Sequence, residues 1–189
     1  MSARTVYLMR HGEPVLAGRM LGRTDCAVTP AGIAACRAQV GQLDVAWVIS
    51  SDLLRASRCA AAIADDLGKP HQVDRRWREL DFGEWDGRPS SAIDPAALGD
   101  FWNDPDANPP SGGERWSALV ARVSAAIDAL GGDPTLIVTH AGAMRAALHS
   151  LCGFAQPQLW AIDLPYACVL ALRIWPGEHR SGQIVALWP

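Results

Sequence analysis

Chemically capable side chains follow three apolar runs of the chain, at the point where each run ends. Arg10-His11-Gly12 follows TVYLM, and Thr139-His140-Ala141-Gly142 begins directly after LIV. Ser50-Ser51 follows VAWVI and leads on to Arg55. Arginines present planar forks that match the oxygens of a phosphoryl group, and a neutral imidazole can attack phosphorus. These residue types predict phosphoryl chemistry if the three run ends meet.

The same three places offer further groups that suit an anion. Helices that begin after Ser51 and His140 would add backbone donors and favourable dipoles. Gly12 and Gly142 would let the backbone approach an anion closely. A leaving group must also take up a proton, from a carboxylic acid or from another imidazole. The stretch RRWRELDFGEWDG supplies four candidate acids, among which the residues alone do not choose: Glu79, Asp81, Glu84 and Asp86.

Short apolar strands alternating with helices must position these side chains. Buried strands are predicted over TVYLMR, VAWVIS and TLIVTH, and two final strands over YACVLALRIW and QIVALW. Continuous apolar strands separated by helices predict an α/β fold, a three-layer α/β/α sandwich with a mainly parallel sheet. Ligands of such sheets bind beyond the carboxyl ends of the strands, where the candidate residues lie.

Four helices are predicted between the strands. Thr29-Pro30 is a favourable N-cap and first-turn proline for a helix that extends to about Leu43. Ser51-Asp52 is the candidate cap of a second helix, which stops at Gly68. The third and fourth helices are predicted over WSALVARVSAAIDAL and AMRAALHSLCG.

The chain length favours a single domain. It has 189 residues, and we expect one domain over residues 1–189. Residues 83–114 depart from the strand and helix pattern, because they are rich in Pro, Gly and Asp. We expect this stretch to be a long excursion over the surface, of the kind that often binds ligands or forms lids.

Composition excludes several classes of partner. The net charge is −3, so no overall field attracts nucleic acid or an anionic membrane, and any anion site must be local. The five cysteines are scattered and never spaced as CxxC, which argues against a disulfide framework and a zinc site. We expect a cytoplasmic protein with no nucleic-acid or membrane partner and no metal. A homodimer is one candidate assembly.

Four blocks of the sequence occur in an order that matches a known family: LMRHGE, SDLLRASRCA, RELDFGEWDG and VTHAGAMRA. The chain resembles the histidine phosphatase superfamily, in its phosphoglycerate mutase-like branch, over nearly its whole length. A lone RHG is a weak signal, but four ordered blocks are not expected by chance. The resemblance implies phosphoryl transfer with no cofactor and no metal, because the cationic pocket supplies the charge that a metal would supply.

The resemblance implies a role for the residue at each matching position. His11 matches the nucleophile that becomes phosphorylated, and Arg10 matches its phosphate ligand. Arg55 matches a second phosphate ligand, from the SxLxRA block. Glu79 matches the proton donor and acceptor, and His140 matches the second histidine, which stabilises the transferring phosphoryl group.

Other residues have weaker assignments. Arg23 and Thr24 are candidate substrate contacts, with a structural role in their loop as the alternative, and Gly142 is a third candidate. Gly12 is assigned to the phosphate site with the rest of its motif. The segment Pro14–Ala17 departs from many relatives, which have polar residues there. The remaining histidines are expected to have no catalytic part: His71, His149 and His179.

Three readings of the reaction follow. The first is a phosphomonoesterase, the second a phosphoglycerate mutase that returns the phosphoryl group to another hydroxyl, and the third a catalytically idle binding protein. The idle protein is disfavoured because no proposed catalytic residue is missing. The mutase is disfavoured because cofactor-dependent phosphoglycerate mutases carry a longer insertion around the pocket than this chain has. The stretch around residues 83–114 is similar to that of α-ribazole phosphatases. Trp85, Trp102 and Trp116 either stack on an aromatic leaving group or pack the excursion onto the sheet.

Overall fold

The computed structural model describes residues 3–177 and 180–189, and within these ranges six strands form one sheet. The strands are β1 (Arg4–Arg10), β2 (Trp47–Ser50), β3 (His71–Val73), β4 (Thr135–Thr139), β5 (Val169–Trp175) and β6 (Ser181–Trp188). Their order is β3-β2-β4-β1-β5-β6. The pairs β2–β3, β2–β4 and β1–β4 are parallel, whereas β5 is antiparallel to both β1 and β6. The prediction of a mainly parallel sheet is confirmed. Strand β3 was not predicted, because it is only three residues long and two of them are polar.

Six α-helices lie in the same described ranges, and four of them correspond to predicted helices. They are α1 (Pro30–Ala38), α2 (Leu54–Leu67), α3 (Pro95–Asn103), α4 (Trp116–Asp128), α5 (Ala141–Cys152) and α6 (Gln156–Leu159). The Thr29 cap is confirmed, because its side chain accepts a hydrogen bond from the backbone of Gly32 at 2.9 Å. Helix α1 ends five residues before the predicted Leu43, since the backbone tightens at Gln39 and Val40 into three-residue turns.

The helices cover both faces of the sheet, which confirms the three-layer architecture. Side chains of a strand alternate between faces, so Leu8 and Met9 of β1 enter different cores. Leu8 packs in the core beneath α4 and α5, and Met9 packs in the core beneath α1 and α2. Because both faces are buried, ligands reach the sheet only at its ends.

The excursion over residues 83–114 contains more regular structure than its composition indicates. Helix α3 lies in its middle, with the Asp94 side chain accepting from Ala97 N and Pro95 at the first position. Phe101 of this helix is 2% exposed and anchors the excursion to the core. Within the described ranges, none of the helices combines the length and the hydropathy needed to cross a bilayer.

Candidate active site

The predicted meeting of strand ends is confirmed for β1 and β4. These strands are parallel neighbours, and Arg10 stands opposite Thr139 in their register. The backbone N–H of His11 donates to the carbonyl of Thr139 at 2.8 Å, which continues the pairing past the end of β1. The next residues carry the two imidazoles, and the ring centroids of His11 and His140 are 5.0 Å apart. The fold therefore places both histidines in one site at the carboxyl end of the sheet.

The tautomer and charge of His11 suit a nucleophile. Its Nδ1 lies 2.7 Å from the carbonyl oxygen of Gly12, and because a carbonyl only accepts, Nδ1 carries the proton. The Nε2 atom therefore keeps its lone pair. Burial, followed by the charge of Arg55, lowers the pKa of His11 to about 3, with a smaller contribution from Arg10. The imidazole is neutral at physiological pH and its Nε2 can attack phosphorus.

His140 is fully buried beside His11. The Oγ of Ser51 lies 2.8 Å from the Nε2 of His140. Because Ser51 directly follows the last residue of β2, this contact brings the end of β2 into the site. Burial, then the positive charge of Arg55, holds the pKa of His140 well below its usual range. In the described part of the chain, its Nδ1 has no hydrogen-bond partner within the protein. That nitrogen is therefore the atom of the ring whose hydrogen-bonding capacity the protein leaves unused.

Arg10 reaches the site from the last position of β1. Its Nη1 donates to the carbonyl of Leu164 at 2.6 Å, and its guanidinium carbon lies 4.0 Å from the ring centroid of Tyr166. Both contacts fix the plane of the guanidinium. Its Nε is buried without a partner among the described residues. The phosphate-ligand role of Arg10 stays a prediction that this geometry allows.

Arg55 is fully buried in α2 and organises a loop as well as the site. Its two terminal nitrogens donate to three backbone carbonyls at 2.7 to 3.0 Å, those of Leu21, Gly22 and Thr24. Its Nε has no partner in the described structure. The resemblance assigned Arg55 to phosphate, whereas the structure gives most of its donors to the loop at residues 21–24; the phosphate role stays a prediction.

The structure distinguishes among the four candidate acids. Asp86 accepts hydrogen bonds from the backbone of Arg23 and Thr24 and from the Thr24 hydroxyl, so it is committed to their loop. Asp81 pairs with Arg23 at 2.8 Å, and Glu84 is exposed. Glu79 alone lies against the helix that begins after His140.

Glu79 is held at the N-terminus of α5. Its Oε2 accepts from the backbone N–H of Gly142 at 3.1 Å, and its Oε1 accepts from Leu80 N at 2.9 Å. Arg122 donates to the Glu79 carbonyl at 2.8 Å and so fixes the backbone of this segment. A Cβ at position 142 would lie 2.1 Å from Oε1. The anion that Gly142 admits is thus the carboxylate of Glu79, and a substrate contact of Gly142 stays a prediction.

The structure explains the glycine at position 12 by close packing, whereas the sequence suggested the approach of an anion. A Cβ there would lie 2.2 Å from the backbone oxygen of Gly32 in α1. Gly12 is therefore required for close packing of the strand end on this helix, and the approach of an anion to it stays a prediction. Its carbonyl still acts in the site, because it orients the His11 ring.

Arg23 and Thr24 divide between the two roles predicted for them. Thr24 is tied to Asp86 through its backbone and its hydroxyl, which is the structural role. The Arg23 side chain is 72% exposed, and Arg23 lines a polar pocket together with Glu79. Contact between Arg23 and a substrate stays a prediction.

Two groups near the histidines were missed from the sequence. The Tyr166 ring lies 5.5 Å from the His11 ring, centroid to centroid. Ala167 has φ of 63°, and within the described ranges no other non-glycine residue has a positive φ. Its N–H donates to the carbonyls of Arg10 and His11, which compensates for this unfavourable backbone conformation. The sequence PYACVL contains no signal for this contact, since it depends on the β1–β5 pairing.

The predicted cap at Ser51 is wrong. Helix α2 begins at Leu54 with no side-chain cap from Ser51 or Asp52, and the Leu54 N–H donates instead to Asp25 at 2.7 Å. Ser51 is turned toward His140, and Asp52 pairs with Arg78. Both side chains make long-range contacts in place of the helix cap that the sequence predicted.

An aromatic pocket adjoins the histidines and is lined in part by Glu79. We define it by the residues that line it and bear on function: Glu79, Phe101, Trp102, Trp116, Arg145 and Trp160. Its cavity volume is about 100 Å³, and its mouth is open to solvent. The Trp102 and Trp160 rings stand nearly perpendicular at 4.9 Å, and the Arg145 guanidinium lies 4.9 Å from the Trp160 centroid. Two of the three tryptophans singled out in the sequence line this pocket, while Trp85 packs edge-on against Phe101.

The remaining histidines lie away from the site or outside the described residues. His71 bonds to Ser50, and His149 bonds to the Phe154 carbonyl. His179 lies outside the described residues. The described part of the chain contains no group of three or more His, Cys, Asp or Glu side chains that could hold a metal ion.

Comparison with known proteins identifies the family. The family model of the histidine phosphatase superfamily (branch 1) matches residues 6–185. The chain belongs to the histidine phosphatase superfamily. This confirms the resemblance drawn from the four sequence blocks, and the match spans all the strand ends that build the site. The protein is therefore an enzyme of the phosphatase class.

Relatives and solved structures agree with this family. This histidine phosphatase is 33% identical over 162 residues to the probable phosphoglycerate mutase GpmB of Yersinia pestis. The aligned region covers 78% of this chain and 74% of the relative. A mycobacterial glucosyl-3-phosphoglycerate phosphatase has a TM-score of 0.87, 25% identity and 98% coverage of both chains. A putative α-ribazole-5′-P phosphatase of Escherichia coli K-12 has a TM-score of 0.85 and 24% identity, covering 99% of this chain and 97% of its own. That last likeness shows the fold alone.

Proposed function

We propose that this histidine phosphatase is a phosphomonoesterase that works through a phosphohistidine on His11. One observation carries the proposal: a neutral imidazole with a free Nε2 lies beside buried nitrogens that have no protein partner in the described structure. These nitrogens are Arg10 Nε, Arg55 Nε and His140 Nδ1. Buried donors without partners cost free energy, and a phosphoryl group offers the acceptor oxygens that would satisfy them.

The proposed reaction has two steps. In the first, His11 Nε2 bonds to phosphorus, the bond from phosphorus to the leaving oxygen breaks, and Glu79 gives its proton to that oxygen. In the second, Glu79 takes a proton from water, the resulting hydroxide attacks phosphorus, and the N–P bond breaks to release inorganic phosphate. Arg10 and Arg55 stabilise the negative charge on the phosphoryl oxygens in both steps.

The position of the aromatic pocket supports a substrate with an aromatic leaving group. Glu79 lies at the boundary of the pocket, and the group that receives its proton must lie beside it. Trp102 and Trp160 present aromatic faces at the mouth, being 39% and 38% exposed. The Nε1 of Trp116 is buried without a partner among the described residues and could donate to a ring nitrogen or a hydroxyl. We therefore propose α-ribazole 5′-phosphate as the substrate to test first.

A second candidate is phosphoryl transfer between hydroxyls of phosphoglycerate. It is favoured by the sequence relative, whose name is that of a probable phosphoglycerate mutase. Arg145 offers a cation for a carboxylate, since it lies in the pocket wall close enough to Glu79 for their charges to interact. A mutase must keep water from the phosphohistidine, whereas the pocket beside Glu79 is open to solvent at its mouth. This supports hydrolysis over transfer.

Covalent labelling tests the intermediate. Brief exposure to a phosphomonoester that carries labelled phosphorus should leave acid-labile, base-stable phosphate on His11. The variant His11→Asn should take up none, and the control His149→Asn should take up as much as the parent protein. Full activity of His11→Asn without any labelled protein would overturn the covalent mechanism.

A substrate panel tests the leaving group. It contains α-ribazole 5′-phosphate, ribose 5-phosphate, 3-phosphoglycerate and glucosyl-3-phosphoglycerate, with released phosphate as the readout. The first pair differs only in the aromatic base, so a higher kcat/KM for α-ribazole 5′-phosphate supports the aromatic pocket. Equal values for the pair would overturn that part of the proposal. Conversion of 3- to 2-phosphoglycerate without phosphate release would establish the mutase.

The cytoplasmic location and a homodimer stay predictions from the sequence.

A further inference from the structure

Ser51 and His140 form an isolated polar pair in the interior of the site. Both are fully buried, and Ser51 Oγ lies 2.8 Å from His140 Nε2. Among the described residues, the hydroxyl oxygen has one other polar contact, the backbone N–H of Leu53 at 3.3 Å. Because no water reaches a fully buried group freely, the arrangement of hydrogens that leaves fewer of these groups without a partner is favoured.

The contacts of Ser51 decide where the proton of His140 sits. If Nε2 carried the proton, it and the Leu53 N–H would both donate to Ser51 Oγ, and the serine hydrogen would have no acceptor. If Nε2 is unprotonated, the serine hydroxyl donates to it while accepting from Leu53, and only the Nδ1 hydrogen lacks a partner among the described residues. The first arrangement would leave two groups without partners, the serine hydrogen and the Nδ1 lone pair, so the second is favoured.

We infer that Ser51 is a positioning residue, which holds His140 in the tautomer with hydrogen on Nδ1 and so aims a donor at the transferring phosphoryl group. The Nδ1 atom is the one that is buried without a protein partner. Burial and the neighbouring Arg55 also keep the ring neutral, through a pKa far below its usual range. The inference rests on the proposed function, since that function supplies the phosphoryl oxygen that would accept from Nδ1.

A neighbouring pair provides a matched control. Ser50 is also fully buried, and its Oγ lies 2.8 Å from Nε2 of a histidine, His71. His71 belongs to β3 and is partly exposed, and it takes no part in the proposed reaction. Replacement of either serine by alanine therefore removes the same kind of bond at adjacent positions, and only one of them touches the site.

The tautomer is measured first, by long-range ¹H–¹⁵N NMR of the histidine rings in the intact protein. We expect a protonated Nδ1 and an unprotonated Nε2 for His140, assigned by comparison with His140→Gln. This measurement needs no substrate and does not depend on the proposed reaction. A protonated Nε2 in the parent protein would overturn the inference.

Kinetics then test the consequence. In Ser51→Ala we expect kcat to fall about 10²-fold, with KM changed little, because a misdirected donor acts mainly in the transition state. Ser51→Thr, which keeps the hydroxyl, should recover most of the loss, and Ser50→Ala should retain the parent kcat. Near-UV circular dichroism checks that each variant is folded. A folded Ser51→Ala that phosphorylates His11 at the parent rate would sink the inference while leaving the proposed function intact. A parent protein that forms no phosphohistidine would sink the function itself.

Discussion

The two sides of Glu79 are built on opposite principles. On one side, His11, His140 and Arg55 are buried. The two histidines directly follow β1 and β4, and Arg55 lies in the first turn of α2, so the pairing of β1, β4 and β2 fixes their positions. On the other side, Trp102 of α3 and Trp160, which directly follows α6, stand two-fifths exposed outside the sheet. The buried side is suited to chemistry that requires fixed geometry, and the exposed side can vary with the substrate.

The largest expected effect comes from the buried side. His11→Asn keeps a donor toward the Gly12 carbonyl but removes the nucleophilic nitrogen, so phosphatase turnover should fall about 10⁴-fold or more. Steady-state phosphate release measures it, with His149→Asn as the control. The same loss should appear for every substrate of the panel. A loss confined to aromatic substrates would contradict the division between the two sides.

The next effect tests the boundary residue. Gly142→Ala places a Cβ where Glu79 Oε1 lies, so the carboxylate must move and kcat/KM, which reports formation of the phosphohistidine, should fall about 10²-fold. The loss should be much smaller for p-nitrophenyl phosphate, because its leaving group departs without protonation. Gly132→Ala, where an added Cβ meets nothing within 4 Å, is the matched control. Equal losses for both kinds of substrate would argue against Glu79 as the acid.

Acid stability also reports on the buried side. His11 has a pKa of about 3 in the folded protein and about 6.5 when unfolded. Between these values the unfolded chain binds a proton that the folded chain does not, so the free energy of unfolding decreases as pH falls below about 6.5. The contribution of one such group is about 1.4 kcal/mol per pH unit.

Denaturant unfolding at several pH values measures this slope. His140 acts in the same direction, since its pKa is also lowered. His11→Asn should therefore reduce the slope between about pH 5.5 and 4 by about 1.4 kcal/mol per pH unit. The part of the slope that comes from His140 and other groups should remain. An unchanged slope would show that His11 is protonated in the folded protein.

The smallest expected effect comes from the exposed side. Trp102→Ala and Trp160→Ala should each weaken the transition state for α-ribazole 5′-phosphate by about 1 kcal/mol, or about fivefold in kcat/KM. They should change the value for ribose 5-phosphate little. Trp175→Ala is the control, because that side chain is 39% exposed on β5 and lies outside the aromatic pocket. A uniform loss for both substrates would mean that these tryptophans only support the fold.

Much of the buried side could be predicted from the sequence, and little of the exposed side. The apolar runs that end in Arg10-His11 and His140 predicted neighbouring parallel strands, because a buried strand is recognisable from its composition alone. Helices α3 and α6 and strand β3 were missed, since each is short and takes its stability from contacts with distant segments. The predicted cap at Ser51 failed because a buried bond to His140 displaced the local one.

The sequence by itself determined the family, the three-layer fold and the histidines and arginines of the site, because these depend on local pattern and on residue type. The residue types alone did not choose among the four carboxylates, and the tertiary structure showed where each one lies and which atoms the glycines approach. Glu79 meets Gly142 across 63 positions of sequence, and Ser51 meets His140 across 89. Such contacts fix protons and distances, and they exist only once the sheet has brought its strand ends together.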